Sequence, residues 1–251
     1  MKLAIAGKGG VGKTTLVALL AREAAGRGYH VLTVDADTDS NLATTLGFTD
    51  PIVPLAEEEQ LVAERTGTGG FIRLNPTVDD IPARYTVERD GIRLLVLGGI
   101  RGGGSGCACP ANALLRALLA RLLVREDDVV LVDMEAGIEH LGRGTVQNVD
   151  ALLLVVESDR RTLETAERTL RLARDLGLDR ILAIANRVYN DEDTEQIRNG
   201  LPPEIPILGV IPYDDALRVA ARHGPLPDDL SLPPIAELLD RLEHELSVRH
   251  P

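Results

Sequence analysis

The sequence predicts a doubly wound α/β fold: a single, mainly parallel sheet with helices on both faces. Three observations carry the prediction. Seven short apolar runs recur along the chain, helical patterns alternate with them, and each run is apolar nearly throughout rather than at every second residue. Strands covered on both faces read this way, and the βα alternation is the rhythm of a parallel sheet wound by helical crossovers.

Taken in order, the first strand is KLAIA (2–6), which runs into a glycine-rich loop and then the helical pattern TLVALLAREAAGRG (15–28). HVLTVD (30–35) and IRLLVLG (92–98) are the second and third strands. A second glycine-rich stretch follows and opens the helix PANALLRALLARLL (110–123), where Pro110 suits the first turn. DVVLVD (128–133) and ALLLVVE (151–157) come next, the latter leading into the helix TLETAERTLRLARDLG (162–177). RILAIAN (180–186) and PILGVI (206–211) complete the set. The last segment, IAELLDRLEHELSVRH (235–250), is an amphipathic helix whose polar face is rich in acid, unlike a membrane-surface anchor, and is expected to pack on the sheet. No linker, repeat or low-complexity tract divides the chain, so residues 1–251 are expected to form one domain.

Composition removes several functions. With 27 basic and 39 acidic residues the net charge is −12, which disfavours neutralising nucleic-acid phosphates or anionic lipid. Neither nucleic acid nor a membrane is an expected partner. Four Tyr, two Phe and no Trp leave little for a stacking surface. The opening apolar run of five residues is too short for a secretory signal, and no apolar run could span a bilayer. These features, with reduced thiols, point to the cytoplasm.

In parallel α/β sheets ligands sit at the carboxyl ends of the strands, so the polar motifs there hold the function. Residues 7–14, GKGGVGKT, match G-x-x-x-x-G-K-[ST] between a strand and a helix. Gly9, Gly10 and Gly12 let backbone N–H groups face anionic oxygens, the helix offers its positive end, Lys13 reaches terminal phosphates, and the Thr14 hydroxyl is placed for Mg²⁺. The binding set of the loop is Gly9, Gly10, Val11, Gly12, Lys13, Thr14 and Thr15. The chain has 24 arginines but three lysines, and two of those, Lys8 and Lys13, sit in this loop. A compact ammonium has been kept where a point charge must approach phosphate closely.

Both cysteines, Cys107 and Cys109, fall in SGCACP (105–110). A disulfide between neighbours two apart would be strained and would close almost no loop. Two inert buried thiols remain one reading, although the preceding glycines favour an exposed loop. Metal or redox chemistry is the other. A metal held by thiolates generally takes four ligands, and one chain offers two sulfurs.

The loop GKGGVGKTT, with its extra lysine, resembles the deviant Walker A loop of the ParA/MinD/nitrogenase-iron-protein group of ATPases. The resemblance implies a nucleotide-sandwich homodimer in which Lys8 reaches the phosphates bound to the other subunit, as an inserted arginine finger does. It implies that Asp37, in VDADTDSN, orients the attacking water and that Asp35 lies nearer Mg²⁺. Asp39 is read as the cap of the next helix, although a solvated, capped turn would account for the whole cluster. Asp133, ending DVVLVD before MEAG, takes the Walker B position and holds the Mg²⁺ shell, with Gly137 as the hinge of the following loop. Asn186 with Arg187, and Pro212, fit the base pocket of such ATPases; without the resemblance, helix capping would be the reading of Asn186.

With the dimer in place, two CAC loops meet across the two-fold axis and supply four thiolates, a site suited to Ni²⁺ or Zn²⁺. The CAC loop, DMEAGIEHLGRGT (133–145) and GKGGVGKTT together resemble the CooC family, nickel-insertion ATPases that mature carbon monoxide dehydrogenase. That resemblance implies a protein that binds ATP and ADP with Mg²⁺, carries Ni²⁺ on paired cysteines, and has the dehydrogenase as its client. Three other readings compete. An iron–sulfur electron-transfer ATPase of the nitrogenase kind carries a second cysteine shortly after the 133–145 region, which here has none. A ParA- or MinD-type positioning ATPase fits poorly with the net acidity, and a cysteine-pair redox sensor is the third. His140, beside Glu139, is read as a local hydrogen-bonding residue rather than a metal ligand.

Overall fold

A computed structural model of the chain describes residues 1–37, 39–67, 72–98, 110–122, 128–134, 149–227, 230 and 232–247. Cys107, Cys109, Gly137, Glu139 and His140 lie outside the described residues.

Among the described residues eight strands form one sheet: β1 (Lys2–Ala6), β2 (His30–Ala36), β3 (Val87–Arg89), β4 (Ile92–Val96), β5 (Asp128–Met134), β6 (Ala151–Val156), β7 (Ile181–Val188) and β8 (Ile207–Pro212). Their order is β3-β4-β2-β5-β1-β6-β7-β8. All pairs are parallel except β3 with β4. Every parallel strand therefore points its carboxyl end at the same edge, and the first strand sits at its centre, where the order of connection reverses. That is where a doubly wound sheet opens a crevice.

Alternation along the strands explains why both faces need covering. Leu3 and Ile5 of β1 fall in one core, while Ala4 and Ala6 fall in the other. In β6 the split is Ala151, Leu153 and Val155 against Leu152, Leu154 and Val156. Successive side chains point to opposite faces, so an all-apolar strand requires helices on both sides.

Helices α1 (Lys13–Gly26), α2 (Leu42–Leu46), α8 (Asp215–His223) and α9 (Pro233–Ser247) lie with one face, where α9 buries Ile235, Leu238, Leu239 and Leu242. Helices α3 (Glu59–Thr66), α4 (Ile81–Tyr85), α5 (Pro110–Arg121), α6 (Arg160–Leu176) and α7 (Asp191–Gly200) lie with the other. Among the described residues no helix is long and apolar enough to cross a membrane.

The antiparallel edge strand β3 is absent from the sequence reading. Its signal was present: Asp90 and Gly91, both at positive φ (51° and 76°), form a two-residue turn that closes a hairpin with β4. Three residues of mixed polarity, VER, gave it no apolar run.

The amino end of β1 holds a buried base. Lys2 is 1 % exposed, and its Nζ donates to the carbonyl of Leu119 in the last turn of α5, satisfying an end-of-helix acceptor. Burial pulls its pKa down to about 8, with nearby Asp150 acting in the opposite direction. Between pH 8 and 10.5 the folded chain has lost this proton while the unfolded chain retains it, so stability gains as pH rises. Chemical denaturation of wild type and Lys2→Met at pH 8 and pH 10 checks this. The wild type is expected to gain about 2 kcal/mol relative to the variant. The Met1 amino group, also held down by burial, is common to both proteins and cancels.

Candidate nucleotide site

The loop between β1 and α1 is built by two glycines that nothing else could replace. Gly7 has φ 149°, and a Cβ there would lie 2.5 Å from the Val155 carbonyl oxygen. Gly12 has φ 95°, and its Cβ would lie 2.6 Å from the Asn186 amide nitrogen. Backbone packed this closely leaves no room for a side chain. Gly12 is also the N-cap of α1, and no side chain caps that end. The first-turn N–H groups of α1 therefore open on the cleft, an arrangement made for anionic oxygens.

The cleft encloses about 590 Å³ and is lined by Gly9, Gly10, Gly12, Lys13, Thr14, Thr15, Asp37 and Arg187, with Asp39, Asn41, Thr44 and Thr45 from the opposite wall and Ala221 and Gly224 completing it. A smaller hollow adjoins it and shares Gly12, Thr15, Arg187 and Ala221. Asn186 and Pro212 line that hollow. Val11 is buried, and its carbonyl accepts a hydrogen bond from Asn186 Nδ2 at 2.8 Å, which ties β7 to the loop.

Asn186 and Arg187 reach this position because β7 departs from regular pairing between Ala185 and Val188. Arg187 takes φ 55°, a left-handed conformation that costs a non-glycine residue about 1 kcal/mol. Its guanidinium pairs with Glu157 at 2.8 Å. Irregularities of this kind re-aim side chains beside functional sites.

Behind the cleft stand two carboxylates side by side. Asp35 of β2 and Asp133 of β5 are register partners on adjacent strands, and both are buried. Asp35 accepts from the backbone N–H of Leu42 at 3.1 Å and of Asp37 at 3.2 Å, so it organises the turn that presents Asp37. Burial, partly offset by those bonds, raises its pKa to about 6.

Asp133 differs: among the described residues neither carboxylate oxygen completes a hydrogen bond. Burial above all raises its pKa to about 7; the adjacent Thr14 hydroxyl and Lys13 ammonium pull against this, and the Asp35 and Asp37 charges add to it. An orphaned buried carboxylate is costly unless something arrives to satisfy it. Mg²⁺ fits that need, with the Thr14 hydroxyl beside it. Among the described residues no group of three or more His, Cys, Asp or Glu could hold a metal.

Asp39 does not cap the following helix. The N-cap of α2 is Asn41, without a side-chain bond, and the Asp39 N–H instead donates to Asp37 Oδ1 at 3.0 Å. The turn needed two more residues than the capping pattern suggested, because Asp35 gathers its backbone inward.

Lys8 is not among the residues lining the cleft. Its Nζ lies 3.4 Å from Asp159 Oδ1, and both side chains are partly exposed. Asp159 is the N-cap of α6, accepting from the N–H groups of Arg161 at 2.9 Å and Thr162 at 3.2 Å. No local pattern announces this pair, whose members are 151 residues apart.

A strand-to-helix phosphate cradle, an uncapped helix end and an orphaned carboxylate on the neighbouring strand define a P-loop nucleotide-binding protein. The model of the CobQ/CobB/MinD/ParA nucleotide binding domain matches residues 2–226. The chain is 44% identical over 239 residues to the carbon monoxide dehydrogenase accessory protein CooC of Rhodospirillum rubrum, covering 92% of this chain and 90% of that protein. Among solved structures it is similar to the septum site-determining protein MinD of Pyrococcus horikoshii complexed with Mg-ADP, with a TM-score of 0.68, 23% identity and 98% of each chain covered. It is likewise similar to the cell division ATPase MinD of Pyrococcus furiosus, with a TM-score of 0.65 and 26% identity over 97% of this chain and 99% of that one. The chain belongs to the CobQ/CobB/MinD/ParA nucleotide-binding family and, within it, to the CooC family.

Proposed function

We propose that this chain is an ATP-hydrolysing metallochaperone, active as a homodimer, that binds Ni²⁺ through Cys107 and Cys109 and inserts it into carbon monoxide dehydrogenase. The likeness to the Rhodospirillum rubrum accessory protein, which runs nearly end to end, carries the reading. The CAC pair supports it, since thiolates are the ligands that soft metals select.

In this reading the backbone of residues 9–15 cradles the phosphates and Lys13 holds their terminal charge. Bound Mg²⁺ would neutralise charge developing on the transferred phosphoryl group, and Thr14, Asp35 and Asp133 would hold it, directly or through water. Asp35 fixes the turn, and Asp37, on the cleft wall, orients the attacking water. Asn186, Arg187 and Pro212 receive the base. Lys8 leaves Asp159 and reaches the nucleotide of the partner subunit, so that hydrolysis waits on dimerisation. The same pairing brings two CAC loops together as a four-thiolate site for Ni²⁺, where Zn²⁺ would also bind. The partners are a second copy of the chain and the dehydrogenase, with neither nucleic acid nor membrane involved.

The Lys8–Asp159 pair gives this scheme a resting position that can be tested separately. Asp159→Asn keeps the helix cap, since Asn and Asp cap equally well, and removes the charge. Exposed pairs contribute up to about 1 kcal/mol and a symmetric dimer breaks two of them, so ATP-dependent dimerisation is expected to tighten by up to about thirtyfold with the melting temperature little changed. Sedimentation of wild type and variant with a non-hydrolysable ATP analogue measures it, and weaker dimerisation would contradict a resting role for Asp159.

The function itself is tested by equilibrium dialysis against Ni²⁺ with and without MgATP, followed by transfer to nickel-free carbon monoxide dehydrogenase. Recovery of CO oxidation that requires both the loaded chain and ATP is expected. Equal recovery from free Ni²⁺, or from the chain without ATP, overturns the reading.

A further inference from the structure

The hollow beside the cleft has an aromatic wall, in a chain with only four Tyr and two Phe. Tyr213 lines it together with Leu16, Leu19, Ile211, Pro212 and Asn186. Three contacts hold this residue, two of them through its side chain. Tyr189 stacks on its ring, with centroids 4.4 Å apart and planes 20° from parallel. Its hydroxyl donates to Asp215 Oδ1 at 3.0 Å, a carboxylate that also pairs with Arg218. Its backbone N–H donates to the Val188 carbonyl at 2.9 Å, which joins the ends of β7 and β8. Tyr189 is 68% exposed and does not line the hollow. A large ring left in solvent has no core to stabilise; its place is behind Tyr213.

We propose that Tyr213 is the stacking wall for the base of the bound nucleotide, with Tyr189 as its brace. The assignment rests on reading the cleft as an adenine-nucleotide site. An aromatic face offered to a base gains most when it is already immobile, because little side-chain freedom is lost on binding. Stacking tolerates any base, since every base has a π-face. Tyr213 therefore adds affinity without selecting adenine. Selection falls to the amide of Asn186, one N–H of which is committed to the Val11 carbonyl.

The test is titration calorimetry of the full chain with MgATP, MgGTP and Mg-tripolyphosphate, the last having no base. For Tyr213→Leu, the Kd for MgATP and MgGTP is expected to rise by the same factor, roughly ten- to a hundredfold, with tripolyphosphate binding unchanged. Tyr213→Phe, which keeps the ring and loses the bond to Asp215, is expected to stay near wild type. Tyr189→Ala is expected to fall between the two. Unchanged MgATP affinity in Tyr213→Leu overturns the assignment, as does an equal loss for tripolyphosphate, which would make Tyr213 a general support of the site. A wild-type chain that binds neither MgATP nor tripolyphosphate overturns the nucleotide reading beneath it. A wild-type chain that binds tripolyphosphate as tightly as MgATP overturns the stacking wall alone.

Discussion

Lys8→Ala is expected to bind MgATP as wild type does and to hydrolyse it roughly 10³-fold more slowly, the lower end of what an inserted cationic finger contributes. The separation follows from where the two loop lysines lie. Lys13 lines the cleft of its own chain and is almost fully buried there. Lys8, five residues earlier, is absent from that lining and is held outward on Asp159. A group that does not touch its own nucleotide adds nothing to nucleotide binding by the single chain, so its removal is expected in turnover and in ATP-dependent dimerisation instead. Lys13→Ala, by contrast, is expected to lose both binding and turnover. Steady-state hydrolysis and calorimetry on the two variants check the pair, and normal turnover by Lys8→Ala would remove its role across the dimer.

Cys107→Ser and Cys109→Ser are each expected to take nickel binding from about one ion per two chains to background, with MgATP binding intact. A hydroxyl is a poor, hard substitute for a thiolate, and in the proposed shared site each substitution would remove two of four ligands because the two-fold axis would repeat it. Loss of nucleotide binding in the same variants would mean that the CAC loop supports the fold instead. Retention of nickel by either variant would place the ion elsewhere.

The parts of the fold visible in the sequence were those governed by burial. All seven apolar runs are strands, because a strand covered on both faces has no freedom to be polar. The helices that bury a broad stripe, α1, α5, α6 and α9, were visible for the same reason. The short α2 and α4, of five residues each, carry too few turns to establish a period. In α7, DEDTEQIRNG, the only buried residue is Ile197, so its helical face is almost blank. The edge strand β3 could have been found from its Asp-Gly turn, which local turn chemistry marks more clearly than hydrophobicity.

For the site, the phosphate loop was legible because its geometry requires glycine at fixed positions and a lysine one step later. The register of Asp35 against Asp133 was not, since two strands distant in sequence become neighbours only through the topology. The Lys8–Asp159 pair and the Tyr189–Tyr213 stack join residues from different strand ends and leave no local trace. Asp39 misled because a carboxylate near a helix start resembles a cap whether or not the helix begins there.

Native mass spectrometry of the full chain with Ni²⁺ and a non-hydrolysable ATP analogue in Mg²⁺ tests the shared-site dimer most directly. The expected species contains two chains, two nucleotides and one nickel ion, and disappears when either cysteine is replaced. Nickel carried one to one by single chains, with nucleotide bound and no dimer formed, would contradict the account.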